Sequence, residues 1–244
     1  MVTPTAIHSA AYQVRWLTPT LPVYSFQATT PGPTAVIQAG IHGNEIAGVH
    51  ALMELLEQGL QPVCGRLLVI PVMNPGAYRA RTRCAPGGLD LNRCFPGDAQ
   101  ALEPERRLAR QFMDLMLAER PQLVATLHES LKRYHPQVPA SFGQTLVYGV
   151  KPVPPVLTRV VEHLNQHLAH PYELWATHHY PVATSSTEVI VEATGCTGVC
   201  IETWSGFQEP RRVAMHNQVV TQLLVELRML TRKTTCKTPG PHRS

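Results

Sequence analysis

Short apolar runs alternate with amphipathic stretches along this chain, and each period predicts an element. Val14–Leu17 and Val23–Phe26 sit among Pro and Thr and predict edge strands or a meander. Ala35-Val36-Ile37-Gln38-Ala39 reads as a short buried strand. After Gly40-Ile41-His42-Gly43-Asn44, apolar residues recur at Ile46, Val49, Leu52, Met53 and Leu56, a helical period closed by Gly59. Leu67-Leu68-Val69-Ile70 predicts an inner strand. Asn74 to Pro104 lacks a period, and an unstructured stretch of ~30 residues in a compact domain is usually functional. A helix is expected over Glu105–Leu117, a strand over Leu123–Leu127, a strand over Thr145–Tyr148 and a helix over Pro154–Leu168. A second long loop is expected from Ala169 to about Thr197. The strand Val199-Cys200-Ile201 and a closing helix marked by Val213, Val220, Leu223, Leu224, Leu227 and Leu230 follow.

Strands alternating with helices predict a single α/β domain over residues 1–231, with a central mixed, mostly parallel sheet flanked by helices. Residues 232–244 read as a disordered tail. Ligands of such sheets sit beyond the carboxyl ends of the strands.

Composition narrows the function classes. The 244 residues are 44% hydrophobic, which excludes a wholly disordered chain. No uncharged apolar run approaches the ~18–20 residues of a membrane helix. The net charge of +4 comes with scattered arginines, 17 of the 21 basic residues, so no nucleic-acid stripe is evident. Six cysteines without a C-x-x-C and no visible export signal point to reduced thiols in the cytoplasm. Oligomeric state leaves no trace.

Four segments carry chemistry. His42-Gly-Asn-Glu45 lies between a strand and a helix, and imidazole and carboxylate are both zinc ligands. The same residues also suit a helix start, with Asn44 or Gly43 as cap. His128, in Leu127-His128-Glu129-Ser130, ends another inner strand, where a packed structural histidine is the alternative. Together His42, Glu45 and His128 make a two-histidine, one-carboxylate set that leaves a fourth metal position open. H-E-x-x-H is absent, and His135, His178 and His179 are further candidates for ligation. Arg79, Arg81, Arg83 and Arg93 fall within fifteen residues. One such arginine could hold a substrate carboxylate and another polarise a carbonyl. Glu202 ends the last strand, where a glutamate could take a proton from a metal-bound water. No G-x-S-x-G or phosphate loop is present, and Cys94 is the one cysteine placed among these motifs.

In this order the segments resemble the zinc carboxypeptidase superfamily, including its succinylglutamate desuccinylase and aspartoacylase branch. The resemblance runs from about Ala35 to Gly206. It rests on H-G-N-E at His42–Glu45, N-P-x-x-Y at Asn74–Tyr78, T-R at Thr82–Arg83, D-L-N-R-C-F-P at Asp90–Pro96, L-H at Leu127–His128 and I-E at Ile201–Glu202. It implies one zinc on His42, Glu45 and His128, with Glu202 as general base and acid. Arg83 would polarise the carbonyl, with Arg79 and Arg81 close enough to compete for that alignment. Asn92 and Arg93 would bind the substrate carboxylate, and Tyr180 stands where carboxypeptidases carry a mobile tyrosine. The implied activity is hydrolysis of an amide beside a free carboxylate. The first reading is a small metallocarboxypeptidase or peptide amidase, and the second an N-acyl-amino-acid deacylase. A non-catalytic metal- or peptide-binding relative is the remaining class. The substrate would be a small peptide or N-acyl amino acid, with neither nucleic acid nor membrane as partner.

Two features depart from the deacylase branch. Only 42 residues follow Glu202, where that branch carries an additional β-rich domain. Between Glu162 and Pro210 the chain has no Lys or Arg but has Glu173, Glu188, Glu192, Glu202 and Glu209, so an acidic substrate side chain is not expected to be favoured there.

Overall fold

In the computed structural model, residues 12–166 and 168–231 are described. The expected tail at 232–244 lies outside them. Eight strands form one sheet: β1 (Tyr12–Thr18), β2 (Leu21–Gln27), β3 (Thr34–Gln38), β4 (Arg66–Ile70), β5 (Leu123–Ser130), β6 (Thr145–Tyr148), β7 (Ala176–His179) and β8 (Thr197–Trp204). Their order is β1-β2-β4-β3-β5-β8-β6-β7. The four central strands β4, β3, β5 and β8 are parallel. β1 and β2 add an antiparallel hairpin on one side. On the other, β6 runs antiparallel to β8. The mixed, mostly parallel α/β sheet is the one the sequence predicts.

The helices are α1 (Ala47–Glu57), α2 (Pro75–Ala80), α3 (Pro104–Glu119), α4 (Pro155–Gln166), α5 (Ser186–Thr194) and α6 (Glu209–Glu226). Alternation along the inner strands feeds two cores. Ile37, Val69, Ala125 and Val199 pack with α1, α4 and α6. Val36, Leu68, Ile70 and Val124 pack with α3 and α5. Phe112 of α3 is fully buried in the second core, where truncation to alanine costs about 3–5 kcal/mol.

Both expected loops contain regular structure. The stretch after Asn74 holds α2, started by the Asn74 side chain accepting from the Ala77 N–H, and a single 3-10 turn at Leu91–Arg93. These pieces are too short to show a period. The stretch 169–197 holds β7 and α5. α5 has a legible start, Ser185 capping the Glu188 N–H, and a legible stop at Gly195. Its apolar residues, Val189-Ile190-Val191, form one β-branched run that hides the helical period.

This architecture fixes where chemistry can sit. β3, β5 and β8 end at the same edge of the sheet, and His128 pairs directly with Glu202 in the ladder. His42 lies four residues beyond Gln38, the end of β3. Among the described residues, no helix is long and apolar enough to cross a membrane. Cys64, Cys84, Cys94, Cys196 and Cys200 are free.

Candidate active site

His42, Glu45 and His128 converge on one buried point. The Glu45 carboxylate bridges the two rings: Oε1 lies 2.7 Å from His42 Nδ1, and Oε2 lies 2.7 Å from His128 Nδ1. The Glu129 backbone N–H also donates to Oε2 at 3.2 Å. One donor atom from each of the three residues lies within 4.8 Å of the others, a spacing suited to a shared metal ion. Burial disfavours a charged His42, but Asp90 and Glu45 outweigh it and raise its pKa to about 9. Burial works on Glu45 in the opposite sense, yet His128 and His42 hold its carboxyl well below the usual range.

Two nitrogens and a carboxylate on one point are a zinc donor set. The far nitrogen of His42 is also engaged: Nε2 lies 3.2 Å from Asp90 Oδ1. A carboxylate on the outer nitrogen of a ligating histidine fixes its tautomer and raises its basicity. Asp90 was not singled out from the sequence, although it opens the D-L-N-R segment. The donor set and this outer carboxylate both fit a zinc ion.

Asp90 organises the adjoining wall as well. Its Oδ2 accepts from Arg83 Nε at 3.0 Å and Nη2 at 2.8 Å. The remaining Arg83 nitrogen, Nη1, reaches to 3.7 Å of Glu45 Oε1. Arg83 is therefore the arginine of its cluster that faces the His42–Glu45–His128 set. Arg81 instead lies over the Tyr78 ring at 4.6 Å. Arg79 lines a separate shallow cleft with Tyr24 and Met53. Asn92 accepts the Ser186 N–H at 3.0 Å, and Arg93 Nη1 donates to the Asn92 carbonyl.

Glu202 stands beside His128 on the next strand. Burial raises its pKa to about 7; His128 opposes the rise and Glu45 adds to it. A carboxyl near 7 can both accept and return a proton at neutral pH. The Cys200 thiol, two residues earlier and so on the same face of β8, lies 3.5 Å from Glu202 Oε1. Only the strand period could have pointed to Cys200 from the sequence.

His42, Glu45, Arg83, Asn92, Arg93, His128, Tyr180 and Glu202 all line one cleft of about 600 Å³. Tyr180 is exposed at the cleft and packs against Phe142, ring centres 4.9 Å apart. Glu129 also borders the cleft but is engaged elsewhere. Its Oε1 accepts from the Ala47 N–H at 2.6 Å at the start of α1, and Oε2 pairs with Arg212 of α6. The other candidates stay apart from the donor set. His178 packs against Tyr134 and Phe142. His179 bonds to the Gly149 carbonyl, and His135 Nδ1 accepts from Gln137. Cys94 is buried beneath the Asp90 carbonyl.

Residues 31–142 match the succinylglutamate desuccinylase/aspartoacylase catalytic domain. The matched segment makes up a little under half of the chain. It holds His42, Glu45, Arg83, Asn92, Arg93 and His128 of the cleft, and Asp90 behind them. The chain is 35% identical over 99 residues to the N-alpha-acetyl-L-2,4-diaminobutyric acid deacetylase of Halomonas elongata, covering 40% of this chain and 28% of the relative. It is 36% identical over 113 residues to the succinylglutamate desuccinylase of Serratia proteamaculans, covering 43% and 32%. Its fold is similar to that of product-bound Cell Shape Determinant protein Csd4 from Helicobacter pylori, with a TM-score of 0.78 and 20% identity over 86% of this chain. Another structure of that protein describes it as a D,L-carboxypeptidase. The chain spans about half the length of Csd4, at 56%, and the aligned segments span about a third of the curated relatives.

Proposed function

We propose that the chain is a zinc-dependent hydrolase of an amide bond beside a free carboxylate. The observation that carries this is the convergence of His42, Glu45 and His128 next to a half-buried Glu202 whose pKa is raised to about 7. His42, Glu45 and His128 would hold the ion. Bound there, zinc would supply a Lewis acid and lower the pKa of a water.

The remaining steps belong to the chain's own groups. Arg93, with the Asn92 amide, holds the substrate carboxylate at the cleft wall. Arg83 is aimed by Asp90 and donates to the oxygen of the scissile carbonyl as negative charge develops on it. Glu202 takes a proton from the attacking water, and its burial keeps that proton available. The same carboxyl returns it to the leaving nitrogen, so that the amine departs neutral. Tyr180 covers the bound substrate from the outer side.

Two leaving groups suit this arrangement. A peptide carboxy-terminal residue gives a small carboxypeptidase, supported by the fold shared with Csd4. An N-acyl amino acid gives a deacylase. The curated relatives favour the deacylase, because both are named for removing an acyl group from an amino acid. The free thiols suit a cytoplasmic setting.

Elemental analysis of the purified protein and of His42→Ala tests the reading, alongside amino acid release from a panel of peptides and N-acyl amino acids. About one zinc per chain, lost with activity in His42→Ala, is expected. A folded wild type that takes up no zinc and cleaves nothing after zinc is added would overturn it.

A further inference from the structure

Glu188 stands in the first turn of α5, three residues after the capping Ser185. That is the acidic position of a capping box, whose carboxylate would accept the Ser185 N–H. Here the bond is not made. The Ser185 N–H donates to the Val182 carbonyl at 2.8 Å, while the Ser185 hydroxyl accepts the Glu188 N–H. The carboxylate lies instead against Gly149, just beyond β6. A Cβ at position 149 would come within 1.7 Å of Glu188 Oε2, so the glycine makes room for it. In that place Glu188 lines the same cleft as the metal residues.

Its carboxylate has no hydrogen bond or ion pair among the described residues. Burial pushes its pKa up, and the charge that works against this is that of His179. No lysine or arginine occurs between Glu162 and Pro210, so α5, β7 and β8 bring none to this side. The cations of the cleft come from other segments. Arg83 is tied to Asp90, and Lys132 reaches the Pro139 carbonyl at 3.4 Å. Asn92 binds the Ser186 N–H, which sets the Asn92-Arg93 pair at the start of the helix that carries Glu188.

We propose that Glu188 determines specificity by pairing with a positively charged amino group on the side chain of the amino acid whose carboxylate Asn92 and Arg93 hold. The proposal rests on the hydrolase reading and names its substrate class: amides of an amino acid with a cationic, amine-bearing side chain. A half-buried carboxylate without a partner favours the ligand that supplies one. An acidic side chain meets repulsion at the same point, and a neutral one leaves Glu188 unpaired.

The test compares Nα-acetyl-lysine with Nα-acetyl-norleucine on zinc-loaded wild type, Glu188→Gln and Glu188→Asp, with thermal melting to confirm folding. In parallel, calorimetry follows binding of free lysine and free norleucine. Wild type should prefer the lysine substrate by about tenfold or more in kcat/KM, a preference expected of a close charge pair. Glu188→Gln should erase that preference through KM and leave the norleucine substrate within about twofold, while Glu188→Asp should keep part of it. Equal losses on both substrates would assign Glu188 a structural role and overturn the proposal. So would a wild type without preference, although turnover would then leave the hydrolase reading standing. If neither substrate is cleaved, only the deacylase form of the hydrolase reading fails and binding decides: lysine binding about tenfold weaker in Glu188→Gln sustains the pairing, and equal binding of the two amino acids overturns it.

Discussion

The two walls of the cleft are held by different physics. The wall formed by residues 40–45 and 74–97 is fixed by directional polar bonds centred on Asp90, which engages His42, Arg83 and the Asn92 N–H at once. The other wall, formed by residues 131–149 and 176–188, adds ring contacts to its strand ladder: Tyr134 with His178, Phe142 with Tyr180, and Tyr148 with His179. Charged hydrogen bonds fix angle as well as distance. Ring packing fixes contact but admits several orientations. The first wall is therefore suited to reaction chemistry and the second to recognition of variable substrate parts.

Substitutions can sharpen or break this contrast. The largest effect belongs to Glu202, on the floor between the walls. Glu202→Gln should lower kcat by about 10²–10⁴, the range of a lost general base, and retain zinc. Loss of zinc from the folded variant would contradict that division of roles.

Metal affinity should depend steeply on pH. In the metal-free protein His42 keeps a proton up to about pH 9. Metal can bind only the deprotonated ring, so each pH unit below 9 costs about tenfold in apparent affinity. Zinc titration against a competing chelator between pH 6.5 and 9 should show affinity rising with pH and levelling above 9. A flat profile would mean that His42 is not a ligand.

Asp90→Asn should weaken zinc binding by about 10–100-fold, as loss of an outer carboxylate on a ligating histidine does. It should also lower kcat by releasing Arg83. If the second wall is as tolerant as its ring packing suggests, Tyr180→Phe has the smallest effect. A KM rise of about threefold, the worth of one hydrogen bond of about 0.7 kcal/mol, is expected with kcat unchanged. A large fall in kcat would show that the recognition wall also carries chemistry.

The same contrast explains what could be read from the sequence. Residues on the first wall recur in short fixed spacings because their bonds demand particular groups: His42, Glu45, Arg83, Asn92 and Arg93 were all legible and all reach the cleft. Asp90 is not distinctive in the sequence, because an aspartate before a short turn also reads as a simple cap, a role it fills by accepting the Asn92 N–H. On the second wall, β7 is the edge strand Ala-Thr-His-His, half-buried throughout and without apolar alternation. The direction of β6 was equally hidden, since four residues show a strand but not which neighbour it joins. The central strands were legible because burial on both faces leaves an unbroken apolar run.

Gly43 ties the His42–Glu45 loop to the arginine wall. A Cβ there would come within 2.0 Å of the Ala77 backbone, and its N–H donates to the Thr82 carbonyl at 2.9 Å. Two segments some thirty residues apart in the chain thus behave as a single machined part. An insertion or deletion between Ala77 and Arg83 would be felt at His42 and Glu45 as directly as one beside them.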